Sequence, residues 1–269
     1  MFSVVIPCHE RADEVSRVLE GFCAQQGDFE VVLVDNNSVR ESLERVHRTY
    51  RSRLELTLVQ QPELPHPFAL SRARNTAMRL AAGEWIVSVD SDCIPGPGYL
   101  SAVAAAARGQ VILTGERIFV EPPPLADIPS VLPALPRILS HANYGLPRDR
   151  RFPRLLNLPD VLHPWDLMHG GNTVFPRSAA LEAGGFDEDF DGHWGYEDVE
   201  FAHRMITAGC VPLFVPGMEV YHQEPPPTEA QPDRYDKAAN PNWAYIGTRI
   251  EGYLDFKMAA NVAAGVRYR

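Results

Sequence analysis

The stretch "VSVDSDCIPGPG" (87–98) ends a short apolar run in two aspartates, Asp90 and Asp92, and then turns through proline and glycine. On an extended backbone, side chains two apart project to one face, so these carboxylates could share a hard cation such as Mg2+ or Mn2+; equally, they could do no more than solvate the turn. The same Asp-x-Asp spacing recurs at Asp187/Asp189 and Asp189/Asp191, but only the first pair closes an apolar run of strand type. His222, closing "MEVYH", is of a residue type that ligates metals, with packing or an ordinary hydrogen bond as the alternative. In "HWGYEDVEF" (193–201), Glu197 and Asp198 stand at the start of a helix pattern, after Trp194 and two glycines, Gly192 and Gly195. Acids at that place answer the helix dipole, worth about 0.3–1 kcal/mol each at an exposed end. A carboxylate beside an aromatic platform could also act as general base toward a hydroxyl lying on the ring. Arg74, with Arg72 beside it in "RARN", offers either a cation for an anionic ligand or a solvated helix face.

Elements of two periods must position these groups. "FSVVIP" and "EVVLVD" are near-continuous apolar runs rich in valine, the pattern of strands buried on both faces. Between them Val15, Val18, Leu19, Phe22 and Cys23 recur along one helical face. "SLERVHRTY" predicts a second helix, "LELTLVQ" a third strand, "FALSRARNTAMRLAA" a third helix and "EWIVSVD" a fourth strand. This alternation predicts a doubly wound α/β sheet, in which ligands bind at the carboxyl ends of the strands, where Asp35 and Asp90 lie. After "QVILTG" the pattern loosens. Residues 121–136 carry six prolines and predict an excursion into a less regular half, where "GGNTVFPRSAALEAGGF" reads as a strand and a short helix. A helix from about Glu197 to Ala208 and short strands around "VPLFV" and "MEVYH" follow. The proline-rich polar stretch 223–243 reads as a disordered segment or a mobile flap.

Composition excludes several classes. The 269 residues, 45% of them hydrophobic, suffice for one large domain or two closely packed halves, and a net charge of −10 argues against a nucleic-acid partner. Cys8, Cys23, Cys93 and Cys210 lie far apart, so their spacing suggests neither a zinc site nor a disulfide framework and fits reduced thiols in the cytoplasm. No apolar run reaches the roughly 18 residues of a membrane span. Met1 leads into "FSVVIP" without the basic region of a leader, so no membrane span and no secretion are expected. Phosphate-loop, dinucleotide, zinc-protease and serine-hydrolase motifs are not found in the sequence.

Four segments in order, "SVVIPCHE", "EVVLVDNNS", "SRARNTAMRLAAGEWIVSVDSD" and "GGNTVFPRSAALEAGGFDEDF" with "WGYEDVEFAHRM", resemble the family 2 glycosyltransferases of the GT-A fold over most of residues 2–222. The last is also similar to the carboxyl-terminal part of the β-1,4-galactosyltransferase and polypeptide N-acetylgalactosaminyltransferase families. The resemblance implies a single GT-A domain over 1–269, with a Rossmann-like half at 1–115 for nucleotide sugar and metal and an irregular acceptor-binding half at 116–269. It implies that Asp92 and His222 ligate Mn2+ or Mg2+, and that Asp90 and Ser91 face the ribose or donor sugar. Pro7, His9 and Asp35 would surround the base, with "VDNNS" and "PCHER" departing from the family's usual second acid and aromatic ring. Arg74 would pair with the diphosphate, and the turn at Gly170, Gly171 and Asn172 would let backbone approach the donor sugar. Trp194 and Glu197 would bind the acceptor and Asp198 would be the catalytic base, an aspartate as in inverting relatives.

The expectation is therefore an inverting, metal-dependent hexosyl- or N-acetylhexosaminyltransferase. It would use a nucleotide sugar, a uridine diphosphate sugar foremost, and a carbohydrate or other hydroxyl acceptor. The alternatives are a sugar-1-phosphate nucleotidyltransferase, which needs a glycine-rich loop where this chain has "PCHERADE", and a catalytically silent nucleotide-sugar or carbohydrate-binding protein.

Overall fold

A computed structural model describes residues 1–38, 40–62, 69–136, 163–223 and 240–263. The first part is a βα alternation: β1 (Phe2–Cys8), α1 (Ala12–Cys23), β2 (Phe29–Asp35), α2 (Arg40–Tyr50), β3 (Leu56–Gln60), α3 (Leu70–Leu80) and β4 (Trp85–Ser88). There follow β5 (Cys93–Pro95), α4 (Tyr99–Ala106), β6 (Val111–Thr114), β7 (Arg117–Val120) and α5 (Ile128–Val131). Past the undescribed segment come β8 (Thr173–Pro176), α6 (Arg177–Glu182), α7 (Glu197–Thr207), β9 (Val211–Phe214), β10 (Val220–Gln223), α8 (Pro241–Arg249) and α9 (Tyr253–Ala263).

Seven strands form one sheet in the order β3-β2-β1-β4-β8-β6-β9. The pairs β1–β2, β2–β3 and β1–β4 are parallel, as the valine-rich runs predict. Successive residues alternate between the two covered faces. Val4, Ile6, Val31 and Leu33 pack with Val15, Val18, Leu19 and Phe22 of α1. Val5, Val32, Val34 and Ile86 pack with Ala73, Ala77 and Met78 of α3 and Phe201 and Met205 of α7. Full burial of a Val, Leu or Phe side chain stabilises by about 1.5–3 kcal/mol, so these two faces dominate the fold.

The sheet is mixed rather than wholly parallel. β8 runs antiparallel to both β4 and β6, with Trp85 opposite Pro176 and Ser88 opposite Thr173. A parallel neighbour requires a crossover that returns to the same end of the sheet; β8, between β4 and β6, starts instead at the end where β4 finishes. Its amino end thereby lands beside the carboxyl end of β4. A second sheet, β5-β10-β7, was not apparent in the hydrophobic pattern because its strands are only three or four residues long. Residues 224–239 of the expected flap lie outside the described residues; its ends are Gln223 of β10 and the first turn of α8. Among the described residues no helix is long and apolar enough to cross a membrane.

Gly115 marks where the two sheets touch, between β6 and β7. A Cβ there would lie 1.8 Å from the Met218 carbonyl oxygen, a backbone atom that cannot swing aside. Gly115→Ala is therefore expected to lower stability by at least about 2 kcal/mol, the cost of forcing atoms into a packed interior. Urea denaturation of the two proteins checks this.

Candidate active site

Three strand ends build one rim of the site. The β1–β2 register sets Cys8 opposite Asp35, and Asn36 N–H extends the ladder to Cys8 O at 2.8 Å. Asp35 is buried and its Oδ1 accepts from Ser38 N–H at 2.7 Å. His9, half-buried, has Nδ1 2.7 Å from Asn36 O, and Pro7 is buried within β1. Pro7, His9 and Asp35 thus come together at the carboxyl ends of β1 and β2.

Asp90 and Asp92 follow β4 and hydrogen-bond to different arginines. The strand stops at Ser88, and Asp90, Ser91 and Asp92 form a turn closed by Cys93 N–H to Asp90 O at 3.0 Å, so the same-face rule for extended chain does not apply. Asp90 Oδ1 accepts from Arg74 Nη2 at 2.9 Å. Asp92 Oδ2 accepts from Arg11, while its Oδ1 lies 3.6 Å from His222 Nε2. Ser91 and Cys8 are both buried. β10 holds His222 over Asp92 through Gln223 N–H to Asp92 O at 2.8 Å. Asp92, Cys93 and His222 present an oxygen, a sulfur and a nitrogen, all within 4.8 Å of one another. That donor set suits a divalent cation.

Arg74 is buried, only 2% exposed, with its face over the Phe186 ring at 5.2 Å. Its second terminal nitrogen donates to Glu197 Oε1 at 2.8 Å, joining α3, the turn after β4 and the start of α7. Its guanidinium engages these two carboxylates instead of standing open for a diphosphate. Arg11, which no motif flagged, has a side chain 39% exposed and pairs with Asp92. Glu197, expected at an acceptor, is likewise turned inward and buried.

The turn at Gly170 and Gly171 is pressed against this network. A Cβ on Gly170 would lie 2.5 Å from Arg74 Nη2, and one on Gly171 2.7 Å from Asp90 Oδ2. Glycine is required here by protein side chains as much as by any ligand. Asn172 faces inward: its Oδ1 accepts from Tyr99 OH at 2.8 Å, and its Nδ2 donates to Met218 O at 2.9 Å and to Glu116 O at 3.3 Å, which pins the turn to the β9–β10 connection and to the β6–β7 bend. Asp198 is half-buried, and its Oδ2 accepts from Gly170 N–H at 3.0 Å. Trp194, half-buried, lies in a loop that α8 ties down. Asn240 donates to the Trp194 carbonyl at 2.7 Å, and Asn242 donates to the carbonyls of Phe190 and Gly195 at 2.9 and 3.0 Å.

Comparison with known proteins gives a consistent picture. The family described as Glycosyl transferase family 2 matches residues 3–158, and that described as the N-terminal domain of galactosyltransferase matches residues 150–223. The chain is 30% identical over 250 residues to a chondroitin synthase of Escherichia coli, covering 86% of this chain and 36% of that protein. It therefore spans about a third of that relative's length. Among solved structures, S. aureus TarS in complex with UDP-GlcNAc superposes with a TM-score of 0.64 at 17% identity, over 91% of this chain and 64% of the other. The mannosyltransferase PcManGT from Pyrobaculum calidifontis, in complex with GDP-Man and Mn2+, gives 0.54 at 26% identity, over 88% and 59%. These likenesses show the GT-A fold.

Burial, and then the neighbouring Asp198, push the Glu197 carboxyl up from its ordinary 4.5 to about 7, against the pull of Arg74. A folded-state value above the unfolded one means that the folded protein keeps a proton the unfolded chain releases. The associated stability is complete below about pH 4.5 and is lost as pH rises through about 7. Glu197→Gln cannot titrate, so its stability is expected to fall less steeply than that of wild type across this window. Denaturation midpoints measured at intervals between those two pH values test the sign; equal slopes would remove Glu197 from the titration.

Proposed function

The chain belongs to glycosyl transferase family 2, and from that premise we propose that it is an inverting, metal-dependent transferase moving a sugar from a nucleotide diphosphate sugar to a hydroxyl acceptor. The observation that carries the reading is the Gly170–Gly171 turn, which lies against Asp90 on one side and donates its Gly170 N–H to the Asp198 carboxylate on the other. It brings a half-buried carboxylate of α7 next to the acids that follow β4. In this reading residues 1–115 supply the donor side. Residues 116–269 supply the acceptor side, with β8 and the turn before it reaching back into the donor site. The four free thiols support a reducing, cytoplasmic setting.

Each residue then has a stated task. Asp35 accepts from the ring N–H of uracil, and His9 packs on the base. Uridine is favoured by the TarS likeness, whereas the PcManGT complex holds a guanosine sugar. Asp92 and His222 would hold a divalent cation, which supplies Lewis-acid neutralisation of the charge that develops on the departing diphosphate. Arg11 adds a second positive charge at that place, a role first expected of Arg74. Asp90, held by Arg74, accepts from hydroxyls of the ribose or sugar. Trp194 provides a face on which an acceptor ring lies. Asp198 accepts the acceptor's hydroxyl proton as its oxygen bonds to the anomeric carbon and the bond from that carbon to the phosphate oxygen breaks.

Release of free nucleoside diphosphate on addition of acceptor, with Mn2+ present, tests the whole reading and separates a transferase from a silent binder. Asp198→Asn should keep donor binding while transfer slows by roughly two to four orders of magnitude, the usual share of general-base catalysis. A fully active variant, or an α-linked product from an α-linked donor, would overturn the inverting assignment. Arg11→Ala should raise the donor KM by about tenfold or more, the worth of one charge-assisted hydrogen bond, with kcat less affected. Steady-state kinetics at varied donor concentration decide this.

A further inference from the structure

We propose that Cys93 is the third protein ligand of the cation site, which makes it a mixed oxygen, nitrogen and sulfur site selective for borderline and soft divalent ions such as Zn2+, Co2+ and Cd2+ over Mg2+. The proposal rests on the reading of Asp92 and His222 as metal ligands. It extends that reading to a residue that cysteine spacing alone leaves unassigned.

The geometry points there from three directions. First, the antiparallel β5–β10 register sets Cys93 directly opposite His222, and directly opposed side chains share one face of the sheet. Second, Cys93 Sγ and His222 Nε2 each lie 3.6 Å from the same oxygen, Asp92 Oδ1. In a tetrahedral shell with metal–ligand bonds of about 2.0–2.3 Å, neighbouring donors stand roughly 3.3–3.8 Å apart, so two of the three separations already match. Third, Arg11 takes the other oxygen, Oδ2. A carboxylate held by one oxygen presents the second in a fixed direction, as outer partners of metal ligands do.

Cys93 is fully buried and belongs to the large apolar cluster. A packing role alone would make it replaceable by another small residue without consequence for ions. As a ligand it would bind as thiolate, its proton passing to solvent as the metal–sulfur bond forms. Thiolate favours Zn2+, Co2+ and Cd2+, whereas Mg2+ favours a shell of oxygens.

The test uses Co2+ alone, without nucleotide, on the full chain. Wild type should develop a near-ultraviolet thiolate-to-cobalt absorption band. Cys93→Ser and Cys93→Ala should both lose it, and Cys210→Ser should keep it. Competition with a chromophoric chelator should show Zn2+ affinity falling by about tenfold to a hundredfold in Cys93→Ser, with Mn2+ affinity changing much less. Thermal unfolding in chelator confirms that the variants fold, and the alanine variant stands in if serine does not. A cobalt complex without the band, a band that survives in either Cys93 variant, or no cobalt binding at all would overturn the proposal. Diphosphate release in Mn2+, measured on the same preparations, shows independently whether the transferase reading stands.

Discussion

A guanidinium with almost no access to water must be matched by carboxylates, because an uncompensated charge in that position would cost several kcal/mol. Arg74 is in that position, and Asp90 and Glu197 answer it from segments 16 and 123 residues away. The rest of the cleft follows from this arrangement. α7 must begin where Glu197 can reach the ion, the turn after β4 must bend so that Asp90 does, and the chain entering β8 passes so close to both that a Cβ at 170 or 171 would displace the Arg74 or Asp90 side chain. Asp198, one residue beyond Glu197, then accepts from the Gly170 N–H of that turn. The cation thus organises the site without being presented to the cleft.

Much of the frame was legible in the chain. Valine-rich runs marked β1, β2 and β4 because parallel strands buried on both faces need continuous apolar character, and the helical spacing from Val15 to Cys23 marked α1. The identity of β8 as a strand was legible, but its direction was not, since direction is set by where the preceding excursion ends and not by local pattern. The sheet of β5, β10 and β7 is too short to show a period.

The site divides along the same line. Residue types at strand ends could be read: Asp35 closes β2, Asp90 and Asp92 follow β4, and His222 of β10 lies beside Asp92. Partners could not, because a pairing across 81 residues, as between Arg11 and Asp92, leaves no trace in local spacing. The inward-facing roles of Asn172 and Glu197 were hidden for a related reason. A polar residue next to a functional turn has the same sequence signature whether it serves a ligand or satisfies backbone groups inside the protein.

The adjacent acids of α7 show how one helical start can serve structure and chemistry at once. Neighbouring residues on a helix point about 100° apart, so a single chain cannot turn both toward the same partner. Glu197 takes the interior direction and accepts a hydrogen bond from Arg74; Asp198 takes the direction of the glycine turn, half-buried. The buried member holds its proton more tightly through desolvation. The outer member keeps access, and one of its oxygens is oriented by a backbone N–H that holds the carboxylate in direction without neutralising it. In the proposed reaction the base is therefore assigned by burial rather than by residue type. The same burial makes Glu197 the residue that fixes where Asp198 stands.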